Sequence, residues 1–313
     1  KILMVYYNFK KHKEFFYFYL FIYLIPISIV LGNLIINVVS LICVLVYLLL
    51  VAKKKIIYQT YKNYFYILYA LVAFLGLNLF LSSNFELSFY SVLGFIRYYL
   101  LFLALLFCLN EINDFKKTFS KIILFLIIFV IIDIFIQHFF LVDLFGYEIA
   151  SDHGRRLSGP FGPEKVAGSF ISKVFYLSLI CFLLNNFKTK YIIPLILLTI
   201  LTVIMTNERS ASIMFFSGSL IFIIFCNIKL WKKTILFILI FLSLFFIFNS
   251  NKNLKSHFVD LPVKYFKDNH HKAHYLTAYE IFKENKFLGS GVKTFRYLCK
   301  DKKYENINSK YAK

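Results

Sequence analysis

Apolar runs of about 18 residues or more recur along this chain, divided by short polar stretches. That is the length an α-helix needs to cross the ~30 Å hydrocarbon core of a bilayer. The chain is 60% hydrophobic with a mean hydropathy of +0.70, against roughly 45–50% apolar in soluble domains. The expected fold is all-α, a polytopic transmembrane helical bundle with a long external loop containing an amphipathic helix.

Nine spans are predicted, over residues 15–31, 34–51, 64–81, 87–109, 122–142, 166–184, 191–205, 210–226 and 234–249. Residues 1–249 then form the transmembrane domain and 250–313 an external, periplasmic loop. The first run is too long for a signal peptide, and no small-residue cleavage site precedes the second. The chain opens on Lys rather than Met and stops in a polar stretch, which predicts further sequence at both ends.

The basic residues set the orientation. Sixteen lysines lie in the polar stretches on the N-terminal side, among them Lys54 and Lys117. The short loops on the other side hold only Arg155, Arg156, Lys165 and Arg209. Cytoplasmic loops carry the lysine excess. The N-terminus is therefore expected in the cytoplasm, with Ser158 and Cys299 on the outer side. The net charge of +20 is explained by this clustering, so no nucleic-acid partner is expected. Four of the five cysteines, Cys43, Cys108, Cys181 and Cys226, fall in or at the ends of spans and read as small buried hydrophobes. No CxxC pair occurs, so no zinc or redox motif is expected.

Only five of the 36 basic residues are arginines, Arg97, Arg155, Arg156, Arg209 and Arg296. A chain that prefers Lys keeps Arg where a planar, bidentate guanidinium matters. Two arginines fall in residues 154–173, GRRLSGPFGPEKVAGSFISK. The plain alternative is loop punctuation, with Gly and Pro turning the chain and Arg anchoring headgroups. The gathering of four arginines on the outer face favours an anion site. Arg156 and Arg209, at outer ends of different spans, suit a pyrophosphate.

Arg97 lies deep in the fourth span, where an unpaired guanidinium costs roughly 2.5–3.5 kcal/mol. Asp133 lies at similar depth in the fifth and is its expected partner. Lys173 lies about two turns into the sixth span, where it can snorkel outward. His270, His271 and His274 have H-H-x-x-H spacing, without the HExxH pattern and without further ligands for zinc, so no metal is expected. Residues 273–286 predict an amphipathic helix, with Leu276, Tyr279 and Phe282 on one stripe and His274, Ala278 and Ile281 on a neighbouring one. Gly289 is its expected cap. Such a helix lies on the membrane surface or roofs a cavity between spans.

Three stretches carry a resemblance. They are Arg156-Leu157-Ser158-Gly159 through Glu164 to Gly168-Ser169-Phe170-Ile171-Ser172-Lys173; Thr206-Asn207-Glu208-Arg209-Ser210; and His274-Tyr275-Leu276-Thr277-Ala278-Tyr279 through Gly289-Ser290-Gly291 to Phe295-Arg296. With Pro26 in the first span and Arg97 in the fourth, the chain resembles the O-antigen ligase and O-antigen polymerase family of bacterial membrane glycosyltransferases. The resemblance implies an enzyme of lipopolysaccharide or other surface-polysaccharide biosynthesis in the bacterial inner membrane. It moves a glycan from undecaprenyl pyrophosphate to a hydroxyl of lipid A–core or of another lipid-linked glycan, at the periplasmic face, with no metal or other cofactor. Arg155, Arg156, Arg209 and Lys173 would bind the pyrophosphate, with Glu164, Glu208, Arg97 and Arg296 in support. The family's His-rich motif, the usual source of its base, is not found by Lys313, so His274 is the candidate base of this chain. The alternative reading is a lipid-linked oligosaccharide flippase or other transporter. Transporters keep ionisable groups near the midplane, whereas here they gather at the outer face.

Overall fold

The computed structural model describes residues 13–53, 62–111, 114–149, 156–185, 192–225 and 269–304, with isolated positions between 231 and 245. Among these residues the fold is all-helical, with no strand and one bridge, Val142 to Glu148. The helices are α1 (Lys13–Leu31), α2 (Asn33–Ala52), α3 (Lys62–Phe80), α4 (Phe85–Glu111) and α5 (Phe115–Phe140). A 3₁₀ turn, Gly159–Phe161, precedes α6 (Ala167–Leu184), α7 (Ile192–Met205) and α8 (Arg209–Phe225). Then come α9 (Asn269–Glu284), the single turn α10 (Phe295–Leu298) and a 3₁₀ turn at Lys302–Tyr304.

Helices α1–α8 fall on the first eight predicted spans. The ninth, 234–249, lies mostly outside the described residues. Four helices, α2 to α5, are long and apolar enough to cross a membrane. Shorter apolar stretches occupy Phe15–Leu31, Ala167–Ile180 and Pro194–Met205. Outward positions are apolar too: Leu34, Phe80, Phe125 and Phe139 are all more than two-thirds exposed. A soluble helix bundle puts charged or polar residues there.

The chain forms two compact units, and α1 and α2 each contribute to both. One holds α1 as far as Ile22, Asn37–Glu111, and residues 269–304. In it α3 packs on α4, and Phe18 lies between Tyr47 and Phe107, with ring centroids 6.2 Å from each. Arg97 Nη2 donates to Asn37 Oδ1 at 2.7 Å, and its guanidinium lies 4.8 Å from the Tyr98 ring centre.

The second unit holds Tyr23–Ile36 and the described residues from 114 to 245. Its core is built from i, i+4 and i+7 positions of long helices: Ile123, Ile127, Val130 and Ile134 of α5 meet Ile171, Phe175 and Leu179 of α6. Ile196, Ile200 and Val203 of α7 and Phe215 of α8 close it. Asp133 belongs to this unit, fully buried, and its Oδ1 accepts the Leu144 N–H at 2.9 Å. Arg97 and Asp133, the expected pair, lie in different units, and each has a partner within its own: a neutral amide for the guanidinium and a backbone N–H for the carboxylate.

Helix α9 packs by a stripe of its own. Its buried stripe is Ala273, Thr277 and Ile281, while Tyr275, Tyr279 and Phe282 stand exposed. Small side chains permit close approach, so they, and not the large aromatics, take the packed face.

Candidate functional site

The loop after α5 folds back onto the helix that precedes it. Two polar residues of α5, Asp133 and Gln137, lie four apart and so share a face. Asp133 holds Leu144, while Gln137 Oε1 accepts the Gly159 N–H at 2.9 Å and its Nε2 donates to the Tyr147 carbonyl at 3.3 Å. Asp143 Oδ1 accepts the N–H groups of Phe145 and Tyr147 at 2.9 and 2.7 Å. Leu157, Ser158, Gly159 and Pro160 are buried by this arrangement. Gly159 has φ +52°, and a Cβ there would lie 2.8 Å from Ile134 Cγ1. The loop is therefore a built element laid on α5.

The next tie joins two of the stretches that carry the family resemblance. Glu208, 7% exposed, precedes α8 in a turn that Asn207 makes with φ +58°. Its Oε1 accepts the Gly168 N–H at 2.8 Å. Its Oε2 accepts the Ser169 N–H at 3.1 Å and the Ser169 hydroxyl at 2.7 Å. These are donors of the first turn of α6, which have no partner within the helix, and a carboxylate there is favoured by the helix dipole. Gly168 permits the approach: a Cβ would fall on Thr206 Oγ1 and within 3.2 Å of Ala211 Cβ.

Beside this clamp lies a cleft of about 570 Å³. The α1–α2 turn, the Pro160–Val166 loop and the first two turns of α6 line it. Ile29, Leu31, Val166 and Phe170 give it an apolar wall, and Asn33, Tyr147, Glu164, Ser169 and Lys173 a polar one. Asn33 Nδ2 donates to Glu164 Oε1 at 2.5 Å across its rim. Lys173 lies one turn beyond Ser169, exposed, and has no ion pair among the described residues. An apolar lining that includes one exposed lysine suits an anionic amphiphile.

The predicted site residues divide. Lys173, Glu164 and Glu208 come together here, Glu208 as the clamp. Arg156 and Arg209, each partly buried, belong to the same unit but do not line the cleft. Arg156 Nε is buried without a hydrogen-bond partner. Arg155 lies outside the described residues. Arg97, His274 and Arg296 belong to the other unit. His274 is exposed on α9, its ring 6.4 Å from that of Phe295, and Arg296 is in α10. No group of three or more metal-ligating side chains occurs among the described residues. Asn33, Gln137 and Asp143 were not singled out from sequence. Gln137 had a signal: it stands four residues from Asp133 in an otherwise apolar helix. Comparison with protein-family models, with curated proteins and with solved structures finds no match.

Proposed function

We propose that the protein is a metal-independent glycosyltransferase of the O-antigen ligase and polymerase kind, acting on an undecaprenyl-pyrophosphate-linked glycan at the periplasmic face of the bacterial inner membrane. The observation that carries this reading is the cleft, which the Glu208-clamped start of α6 lines with Lys173 alongside apolar residues. A polyprenyl pyrophosphate has both features it would recognise, an apolar chain and a charged headgroup. Arg156 and Arg209, each at the end of a loop in the same unit, are the candidate guanidiniums for the diphosphate.

The acceptor hydroxyl oxygen attacks the anomeric carbon of the donor glycan. The bond from that carbon to the pyrophosphate oxygen breaks, and its electron pair leaves with the pyrophosphate. The hydroxyl proton passes to a base. Cations fixed beside the leaving oxygens act where charge develops, which is where they lower the barrier. Lipid A–core or a second lipid-linked glycan is the acceptor. Within one unit Asn33 meets Glu164 and Glu208 meets Ser169, contacts that join segments the nine-span topology assigns to the outer side.

The test is glycan transfer by the full-length protein in proteoliposomes, from an undecaprenyl-pyrophosphate donor and with EDTA present. Lys173→Met should lower turnover about 10²-fold, the loss typical of one electrostatic stabiliser. Arg156→Lys and Arg209→Lys keep charge but lose the fork, and should lower turnover more than donor binding. Undiminished turnover in all three variants would remove the pyrophosphate site, and inhibition by EDTA would remove the metal-free chemistry.

A further inference from the structure

We infer that the outward face of α9 docks on the anionic headgroup layer of the bilayer in which the protein sits. This inference needs a membrane but does not rest on the transfer chemistry.

The face is defined by helical geometry. At 100° per residue, Tyr275, Tyr279 and Phe282 lie within about a sixth of a turn of one another. The buried stripe of Ala273, Thr277 and Ile281 lies opposite. Tyr275 is 76% exposed and Phe287, just past the helix, 94%. Lys283 flanks the aromatic row, its Nζ 4.6 Å from the Tyr279 ring centre and 2.9 Å from Glu280 Oε1. Residues 269–304 hold eight lysines and arginines against three acids, an excess of five positive charges. Amphipathic aromatic rings with flanking lysines are the composition of a segment lying in the headgroup region.

Depth is fixed by hydrogen bonds within the same unit. The Asn78 side-chain amide, in the last turn of α3, donates to the Leu288 carbonyl. The Ser83 N–H donates to the Ser290 carbonyl at 3.2 Å and the Ser88 hydroxyl to the Val292 carbonyl at 3.1 Å. The turn joining α3 to α4 thus grips the chain immediately after Phe287. The outward apolar surface of α3 runs up to that same turn, with Leu77, Phe80 and Leu81 all more than half exposed. The end of α9 is therefore held where the apolar surface of two membrane-length helices stops, the level at which headgroups lie. The positive excess selects anionic headgroups over zwitterionic ones.

The test uses tryptophan as a depth probe. The one native tryptophan, Trp231, is replaced by Phe, and Tyr279→Trp and Phe287→Trp are introduced separately. Phe287 is exposed enough that its replacement leaves folding intact. The purified protein is placed in vesicles of phosphatidylcholine with one-quarter phosphatidylglycerol, the lipids brominated near the headgroup end of the chains. Both probes should be quenched by the brominated lipid and shielded from aqueous acrylamide. Quenching should fall at least about twofold in pure phosphatidylcholine, since each lysine near the surface gains from anionic lipid. Acrylamide access without lipid quenching would overturn the docking and leave the face to water or to another protein. Equal lipid quenching in the two vesicle types would overturn the anionic preference.

Discussion

Glu208 ties three donors of α6 to the turn before α8, so its replacement has a calculable effect. Glu208→Ala leaves the Gly168 N–H and the Ser169 N–H without acceptors in a mostly buried place, at a cost of about 2–4 kcal/mol. Glu208→Gln keeps one acceptor oxygen and should cost roughly 1–2 kcal/mol. Both should lower the Tm of the purified protein in that order, and an unchanged Tm for Glu208→Ala would contradict the clamp. Gly168→Ala should destabilise as well, because its Cβ would fall on Thr206 Oγ1. Adding Thr206→Ala removes that atom and should return part of the loss. The interest of Glu208 and Gly168 was legible in their motifs, but their bond was not. Forty residues separate them, and a contact between chain-distant polar groups leaves no periodic trace. The Arg97–Asn37 bond left no trace for the same reason: depth along a helix says nothing about which way a side chain turns.

The helices themselves were readable, because a membrane-length apolar run is a one-dimensional property of the chain. Helix α9 was readable in place, as 269–284 against an expected 273–286, but not in orientation. The stripes left open whether the aromatics meet the membrane surface or a cavity; Ala273 and Thr277 pack and the aromatics stand out. Its far end is fixed by Glu284, whose Oε2 accepts from Lys303 Nζ at 2.8 Å and from the Tyr304 hydroxyl at 2.7 Å. These bonds hold the Glu284 carboxyl below its usual 4.5 and hold the Lys303 ammonium and the Tyr304 phenol above their usual values. The carboxylate's contribution is fully present above its unfolded value and is lost as the pH falls through the lowered one. The Lys303 and Tyr304 contributions are fully present below their unfolded values of 10.5 and 10.0 and are lost as the pH rises through the raised ones. Amide hydrogen exchange across residues 295–304, corrected for intrinsic rates, should therefore be slowest between these limits. Glu284→Gln should abolish the acid limb of that profile. An acid limb that persists in Glu284→Gln would assign it to another group.

At the scale of the whole molecule, polar ends of the apolar helices meet one another within each unit. Asn33 meets Glu164, Glu208 meets Ser169, and Ser83 meets Ser290. Each contact lies within one unit, and each joins two stretches that the nine-span topology assigns to one side. Every chemical role proposed above depends on that side being the outer one. Ser158, expected to face outward, is buried by the loop fold, so Pro163, exposed in the same loop, is the better reporter. The most direct measurement is labelling of intact cells with a membrane-impermeant maleimide. Native Cys299 should react, as should Pro163→Cys in a Cys299→Ser background. In that background Lys53→Cys and Lys117→Cys, at exposed positions on the lysine-rich side, should react only after the membrane is permeabilised. Labelling of Lys53→Cys and Lys117→Cys in intact cells, with Cys299 and Pro163→Cys protected, would contradict the account.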